Sequence, residues 1–401
     1  EALGNFLQLL VLFAKSGTKI DPAPRLIQPR DPRYNVEVGV FLKPLEHRLY
    51  HAIDLLFQGL GCVFDTVAKS HNFGRRAKLL RRKWLRFKRP VALLFDAKRF
   101  DQHVSTHALR AEHEVYLRCY RATNRDRLRW LLALQLFTLF YGRTADGCVK
   151  FRKTGGRCSG DMNTALGNVL LMCLMIADWM LDLGIDFELY DDGDDSVLII
   201  EEADLLVVVG TYEEHFLRLG FTMKLGGVVR EFEQIEFCQT HPVFDGTRWT
   251  MIRDPRTAIA KDCISTLPHA TEFVIRGWMG SVADCGEAIA GGVPVWDAFY
   301  RLYRRTAEQT KVQKSRRGKE VFAAAQFLDS GMVWLSKGMR RRFAEPTVEA
   351  RVSFWRAFGW EPARQLAYEE YFDGLSLDPG VDVVLECPQD PGYVLNSEMP
   401  I

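Results

Sequence analysis

The chain has 401 residues, enough for a large core, and its 47% hydrophobic and 26% charged residues are the balance of an ordinary globular protein. Lys and Arg (53) nearly cancel Asp and Glu (51), so the net charge of +2 does not by itself mark a nucleic-acid binder. The nine cysteines lack CxxC pairs and zinc-finger spacing and read as free thiols of a reducing compartment. No N-terminal signal sequence is visible, and an opening Glu in place of Met suggests a processed product, a readthrough extension or a truncated chain.

In chain order, residues 1–90 are mixed, and a Pro- and Arg-rich segment from Asp21 to Arg33 excludes regular helix. From Arg75 to Arg89 nine of fifteen residues are Lys or Arg; further basic stretches cover Arg301–Lys319 and Arg340–Arg342, and the last forty residues are acidic. Such clusters can line a channel for phosphate backbones, or simply solvate a helix face. Val91–Phe95 is a short apolar run that predicts a buried strand ending at Asp96. Helical periodicity dominates from Thr106 to Tyr141, with Leu131–Tyr141 too short to span a bilayer and expected as buried core helix. Gly155 and Gly156 break the chain. Asp161–Leu183 then predicts a long apolar helix, capped by Ser159 or Asp161 and assigned to the core because Asn168 and Asp178 interrupt it. Any membrane anchor is expected outside this chain.

Two apolar strands, Phe187–Tyr190 and Ser196–Ile200, flank Asp-Asp-Gly-Asp-Asp, where Gly193 supplies the positive φ of a tight turn. A helix over Tyr212–Leu219, a strand near Phe221–Leu225 and a hairpin around Phe237–Arg253 follow. From Ile259 the pattern is mainly helical, and a poorly ordered tail is expected from Pro379.

The chemistry concentrates at two strand ends. Asp96 closes one apolar strand in FDAKRFD; Asp194 and Asp195 lie between two others in YDDGDDS. Carboxylates there are costly unless a cation neutralises them. Two Mg²⁺ ions, with Mn²⁺ as a substitute, would do so and would clamp an in-line phosphoryl transfer. Asp96 and Asp194 are the expected metal bridges, with Asp195 in support and the Ala97 carbonyl as an extra ligand. Between them, SGDMNTALGN puts a Gly-containing loop before a helix, with Thr164 and Asn168 one turn apart on one face. An enzyme that selects ribonucleotides must recognise a 2′-OH, a donor and an acceptor at once. Asp101 can accept from it, and Asn168 with Ser159 can complete the network.

In order and spacing, FDAKRFD, SGDMNTALGN and GDD resemble motifs A, B and C of viral RNA-dependent RNA polymerases, above all those of the tombusvirus family and its relatives. PRLIQPRDPRYNVEVGVFLKPLE (24–46) is similar to their basic fingertip motif, LGFTMKL (219–225) to motif D, and EFCQTHPVFDGTRWTMIRDP (236–255) to motif E and the strand after it. The resemblance runs from about residue 20 to 255. It implies that Arg25 and Arg30 contact the nucleotide triphosphate and that Lys224 protonates the leaving pyrophosphate. It further implies that Phe237, Cys238 and Gln239 form a primer-grip turn. Lys69, Arg75, Arg76 and Gly160 are expected near RNA. Asp192 stands where the resemblance leads one to expect an amide or small residue, and Ser196 where it leads one to expect Cys; Asp192 needs a partner or a raised pKa.

The expected fold is therefore α+β: a closed right hand with an antiparallel palm sheet and a mainly helical thumb. Fingers would span 1–93 and 109–157, the palm 94–108 and 158–250, and the thumb 251–401. The expected reaction is template-directed nucleotidyl transfer with release of pyrophosphate, replicating a positive-strand RNA virus genome. Partners would be template and product RNA, ribonucleoside triphosphates and other viral replication proteins. The expected site of action is the host cytoplasm, at membrane-associated replication sites reached through a partner or a segment outside this chain. The competing readings are a reverse transcriptase, against which Asp101 with Asn168 argues, and a non-catalytic RNA-binding scaffold, which leaves the three aspartates unexplained.

Overall fold

The computed structural model describes residues 7–9, 11–13, 25–144, 147–263, 272–308 and 331–377. The chain divides into two compact units. One comprises Glu1–Ser16, Asp21–Lys69 and Lys83–Arg230; the other comprises Gly17–Ile20, Ser70–Arg82 and Glu231–Ile401. The segment 231–250, expected with the palm, thus groups with the helical residues that follow it.

In the first unit, short strands β1 (Leu7–Leu9), β2 (Val11–Phe13) and β3 (Arg25–Ile27) precede the 28-residue helix α1 (Pro32–Gly59). Asp31 caps α1 by accepting from the Arg33 N–H, and Pro32 occupies the first helical position, where no N–H is needed. Its buried stripe, Tyr34, Val38, Leu42, Leu45, Leu49 and Ile53, follows the helical repeat. Helix α2 (Phe73–Trp84), whose residues up to Arg82 belong to the second unit, covers the basic run as far as Trp84.

The functional scaffold is a four-stranded antiparallel sheet of β4 (Pro90–Ala97), β7 (Phe187–Asp191), β8 (Asp195–Glu201) and β9 (Met223–Val229), in the order β7-β8-β4-β9. β4 lies inside the sheet, and its apolar run Val91–Leu93 is completely buried. Between β4 and β7 come α3 (Phe100–His103), α4 (Thr106–Arg118), α5 (Ala122–Leu136), β5 (Phe137–Thr144), β6 (Gly147–Thr154) and α6 (Thr164–Leu183). Helix α7 (Leu205–Arg218) precedes β9.

Among the described residues α6 alone is long and apolar enough to cross a membrane, yet 72% of its most apolar window is buried within the protein, as the core reading expects. It starts at Thr164, three residues later than expected. Asn163 is its N-cap residue and makes no side-chain cap bond; the Asp161 carboxylate is turned back to the Cys158 N–H instead.

Leu131–Tyr141 corrects the sequence reading more sharply. The helix stops at Leu136, and Phe137–Tyr141 belong to β5, which pairs antiparallel with β6 and parallel with β1. Aromatic and β-branched residues tolerate both states, and pairing with a distant strand decides between them. α7 also begins seven residues earlier than expected.

The second unit contains the hairpin β10 (Thr240–Phe244) and β11 (Trp249–Arg253), then helices α8 (Pro255–Asp262), α9 (Glu272–Ala290), α10 (Trp296–Glu308), α11 (Gly331–Leu335), α12 (Val348–Phe358) and α13 (Pro362–Gly374). The expected helical character from Ile259 holds for its described residues. Asp262 receives both Arg253 at 2.8 Å and the Tyr300 hydroxyl at 2.9 Å, tying the hairpin to α8 and α10. The tail from Pro379 and most of the Arg301–Lys319 basic stretch lie outside the described residues.

Candidate active site

Strand register brings the three expected metal-binding aspartates together. Asp96 lies directly opposite Asp195 on β8, and on its other side opposite Lys224 on β9. The Ala97 N–H donates to the Asp194 carbonyl at 3.3 Å, so the end of β4 is stitched to the turn that holds Asp194. Like charges directly opposite one another destabilise a ladder. Asp96 and Asp194 are nevertheless exposed, and neither forms an ion pair among the described residues. Several hard carboxylate oxygens at one sheet end, without a protein cation on two of them, fit divalent ions such as Mg²⁺. The Ala97 carbonyl belongs to the same strand end.

Gly193, at φ 104°, turns the chain between Asp192 and Asp194; a Cβ there would come 3.2 Å from the Asn168 Cβ. The turn therefore lies against α6 at Asn168. Asn168 in turn donates from Nδ2 to Asp101 Oδ1 at 2.9 Å, the pairing the sequence argument requires. The Asn168 Oδ1 is buried without a hydrogen-bond partner among the described residues. Burial raises the Asp101 carboxyl above its ordinary range; Asn168 and Arg157 oppose this, and Asp194 reinforces it. Two residues before Asp101, Arg99 adopts a left-handed backbone (φ 53°), which is uncommon for a non-glycine residue.

The other members of the loop are bonded within the protein. Ser159 Oγ accepts from the Gln28 N–H at 2.9 Å, and the Gly160 N–H donates to the Gln28 carbonyl at 3.0 Å. A Cβ on Gly160 would come 2.6 Å from the Pro29 Cα and into the Gln28 carbonyl oxygen, so Gly160 permits backbone-to-backbone contact. Thr164 Oγ1 is spent on the carbonyls of Cys158 (2.8 Å) and Asp161 (2.9 Å). Ser159, Gly160 and Thr164 thus shape the loop.

Arg30 departs furthest from expectation. Its guanidinium is ion-paired with Asp161, and both side chains are essentially inaccessible; it also donates to Thr138 Oγ1 at 3.2 Å and packs over the Tyr34 ring. An entering triphosphate would have to displace a buried pair whose rupture costs about 3–5 kcal/mol. Arg25 lies on β3, paired with Phe13, and its side chain falls outside the described residues. Lys224 is exposed and forms no ion pair among the described residues.

Lys69, expected near template phosphates, instead lies 2.6 Å from Asp192, supplying the partner that residue required. Asp191 behind it is completely buried, and burial drives its carboxyl well above the usual range, with Asp192 adding to the shift and the Gly193 N–H and Lys69 opposing it.

In the second unit Arg75 is exposed. Arg76 is buried, donates to the His71 carbonyl at 3.1 Å and lies over the Phe237 ring, which accounts for it as a structural cation. Cys238 and Gln239 both take left-handed backbones (φ 51° and 60°), and Phe237 and Thr240 exchange backbone bonds of 2.9 and 3.1 Å. This is a two-residue turn of the type that suits a hairpin, built without glycine. In the first unit, the last residues of the basic run include Lys83, fully buried against Glu188 at 2.6 Å.

Sequence reasoning missed the Arg157–Glu112 ion pair, whose side chains are both completely inaccessible. Tyr116 donates to Glu112 at 2.8 Å, and Asn163 links it to Gln135 and His113. The Arg157 N–H donates to the Asp101 carbonyl at 2.7 Å, so this network underpins the Asp101–Asn168 contact. Only the adjoining Gly155-Gly156 break hinted at its importance. A further acid cluster, Asp178, Asp182 and His215 on α6 and α7, lies apart in sequence from these aspartates; Arg218 stands 3.8–3.9 Å from both carboxylates, and His215 Nε2 bonds the Met175 carbonyl.

Residues 14–379 match the family described as viral RNA dependent RNA polymerase, a longer span than the motif resemblance covers. An RNA-directed RNA polymerase of oat chlorotic stunt virus (isolate United Kingdom) is 41% identical over 367 residues, covering 90% of this chain and 48% of the relative. Its counterpart in tobacco necrosis virus (strain A) is 40% identical over 382 residues, covering 95% and 51%; that of turnip crinkle virus is 42% identical over 359 residues, covering 90% and 44%. The chain spans about half the length of the curated relatives it matches. With the motif aspartates brought into register and the match extending over most of its length, the chain belongs to the family of viral RNA-dependent RNA polymerases.

Proposed function

We propose that this chain carries the catalytic part of an RNA-directed RNA polymerase that replicates a positive-strand RNA genome. The observation that carries the proposal is the convergence, at one sheet end, of Asp96 paired with Asp195, Asp194 beside them, and the Asp101–Asn168 contact joined to the same turn through Gly193. Bound at Asp96, Asp194 and Asp195, two Mg²⁺ ions would stabilise the charge that develops on the transferring phosphoryl group. The protein's part is to hold those carboxylates in register, to exclude misplaced substrates and to supply a proton. Asp101 accepts from a 2′-OH, and Asn168, donating from Nδ2 to Asp101 at 2.9 Å, holds that carboxylate in place for it. Lys224, exposed and opposite Asp96 on the sheet, would protonate departing pyrophosphate.

In this reading the four-stranded sheet with α6 and α7 is the palm, the helices from Pro255 onward are the thumb, and the first unit's remaining elements are fingers. RNA contacts extend to the β5–β6 hairpin. Lys150, Arg152 and Lys153 form no ion pair among the described residues, β6 is exposed over nearly its whole length, and Phe151 stacks on Phe140 at 4.6 Å. Exposed cations interleaved with aromatic rings suit a single-stranded backbone and its bases. Other viral replication proteins would bring the enzyme to membrane-associated sites in the host cytoplasm.

The test is nucleotide incorporation on an RNA template with Mg²⁺ or Mn²⁺, using ribo- and deoxynucleotides beside an Asp194→Ala control. Ribonucleotide-selective, metal-dependent synthesis that the control lacks is the expected outcome. Equal use of deoxynucleotides would favour a reverse transcriptase, and RNA binding without synthesis a scaffold.

A further inference from the structure

The segment Asp191–Asp195 carries four carboxylates in five residues. Asp194 and Asp195 face the proposed cations and Asp191 is sealed in the core, which leaves Asp192 as surplus negative charge. Its carboxylate lies 2.6 Å from the Lys69 ammonium, and the two side chains are only 11% and 28% exposed. Neither end of this pair is loose. The Asp191 N–H donates to the Thr66 carbonyl at 2.9 Å and the Ala68 N–H to the Asp191 carbonyl at 2.8 Å, so the chain before Lys69 is bonded alongside β7. Asp54 anchors that segment in turn, accepting from the N–H groups of Thr66 (2.7 Å) and Val67 (2.9 Å). On the far side the Asp192 N–H donates to the Asp195 carbonyl at 2.9 Å, which fixes the turn itself.

We infer that Lys69 is a positioning residue of the active site, whose ammonium holds the Asp192 carboxylate away from Asp96, Asp194 and Asp195 and compensates its charge. Its kinetic consequences rest on the polymerase reading; the ion pair does not. A lysine held to a half-buried carboxylate by anchored backbone on both sides loses little entropy in pairing, unlike a surface lysine that sweeps solvent. Without Lys69, Asp192 would lose the ammonium 2.6 Å from its carboxylate, two residues from Asp194, and would compete as a ligand for the cations those aspartates bind. Lys69 would thereby affect the chemical step more than the affinity for template.

The experiment compares wild type, Lys69→Met, Asp192→Asn, the double variant and Lys69→Arg in single-nucleotide incorporation at saturating RNA, and in thermal melting with all metal chelated. Lys69→Met is expected to lower kcat roughly tenfold or more, with the KM for template nearly unchanged. Adding Asp192→Asn should recover most of that loss, and Lys69→Arg should keep most of the activity. Melting should follow the same pattern, lowered by Lys69→Met and restored in the double variant. A double variant no better than Lys69→Met in either assay overturns the inference. So does a Lys69→Met protein that keeps kcat but needs more template, which is the signature of a phosphate contact. Inactivity of the wild type would count against the polymerase reading, and an absence of coupling in melting would still overturn the pair.

Discussion

Gly167 gives the sharpest test of the buried network under the active site. It lies in the first turn of α6, inside a helix where Gly→Ala ordinarily stabilises by up to about 1 kcal/mol. Here a Cβ would come 2.5 Å from Glu112 Oε1 and 2.7 Å from the Arg157 Cζ, as well as into Nη2. Those atoms have nowhere to go: both side chains are completely inaccessible, and Glu112 is also held by Tyr116 and Asn163. Relieving the clash means prising the pair apart, and breaking a buried ion pair costs about 3–5 kcal/mol. Set against the helix gain, Gly167→Ala should destabilise the protein by roughly 2–4 kcal/mol. Gly210 is the control, a helical glycine of α7 whose added Cβ would meet nothing within 4 Å. Gly210→Ala should be neutral or stabilising by up to about 1 kcal/mol. Thermal and urea unfolding of both variants beside the wild type decides the matter. If Gly167→Ala unfolds at or above the wild-type midpoint, the pair is not the rigid support described above. A second readout follows from the Arg157 N–H on the Asp101 carbonyl: the same variant should discriminate less sharply between ribo- and deoxynucleotides.

Two further outcomes are expected. Burial, opposed by the Gly292 N–H and by Arg301, raises the Asp297 carboxyl to about 6, so the folded protein keeps this proton at pH values where the unfolded chain has lost it. That contribution is fully present below about pH 4 and is lost as pH rises through 6. Asp297→Asn should therefore gain on the wild type across that window by at most about 3 kcal/mol, and a pH-independent difference in unfolding free energy would refute it. In the β5–β6 hairpin, replacing Lys150, Arg152 and Lys153 by Ala should weaken single-stranded RNA binding and reduce the slope of log affinity against log salt by about 2. An unchanged slope would mean that these cations do not meet phosphates.

Much of this architecture is legible in the chain alone, because it is local. Val91–Phe95 is apolar enough to be buried wherever it goes, and the run stops at Asp96. Gly193 between acidic pairs and flanking apolar strands specifies a turn that must project carboxylates, and the four-residue step from Thr164 to Asn168 specifies one helix face. Those features suffice to name the candidate metal-binding residues and to pair Asp101 with Asn168. Phe137–Tyr141 marks where local reading ends: its composition fits helix or strand, and pairing with β6 decides.

Charge partnership lies further out of reach. Arg30 and Asp161 are 131 residues apart, Lys69 and Asp192 more than a hundred, and no periodicity connects either pair. From the chain, Arg30, Lys69 and Arg76 look like three basic residues for phosphate; in the folded protein the first is enclosed with a carboxylate, the second neutralises a surplus aspartate, and the third packs over a phenyl ring. Sequence pattern determined which strands are buried and which turn carries the acids, since hydrophobic burial and backbone conformation act over a few residues. Only tertiary structure decided which cation meets which anion, because a charge is costly to bury anywhere and its cost is offset only by whichever opposite charge folding places within a few ångströms.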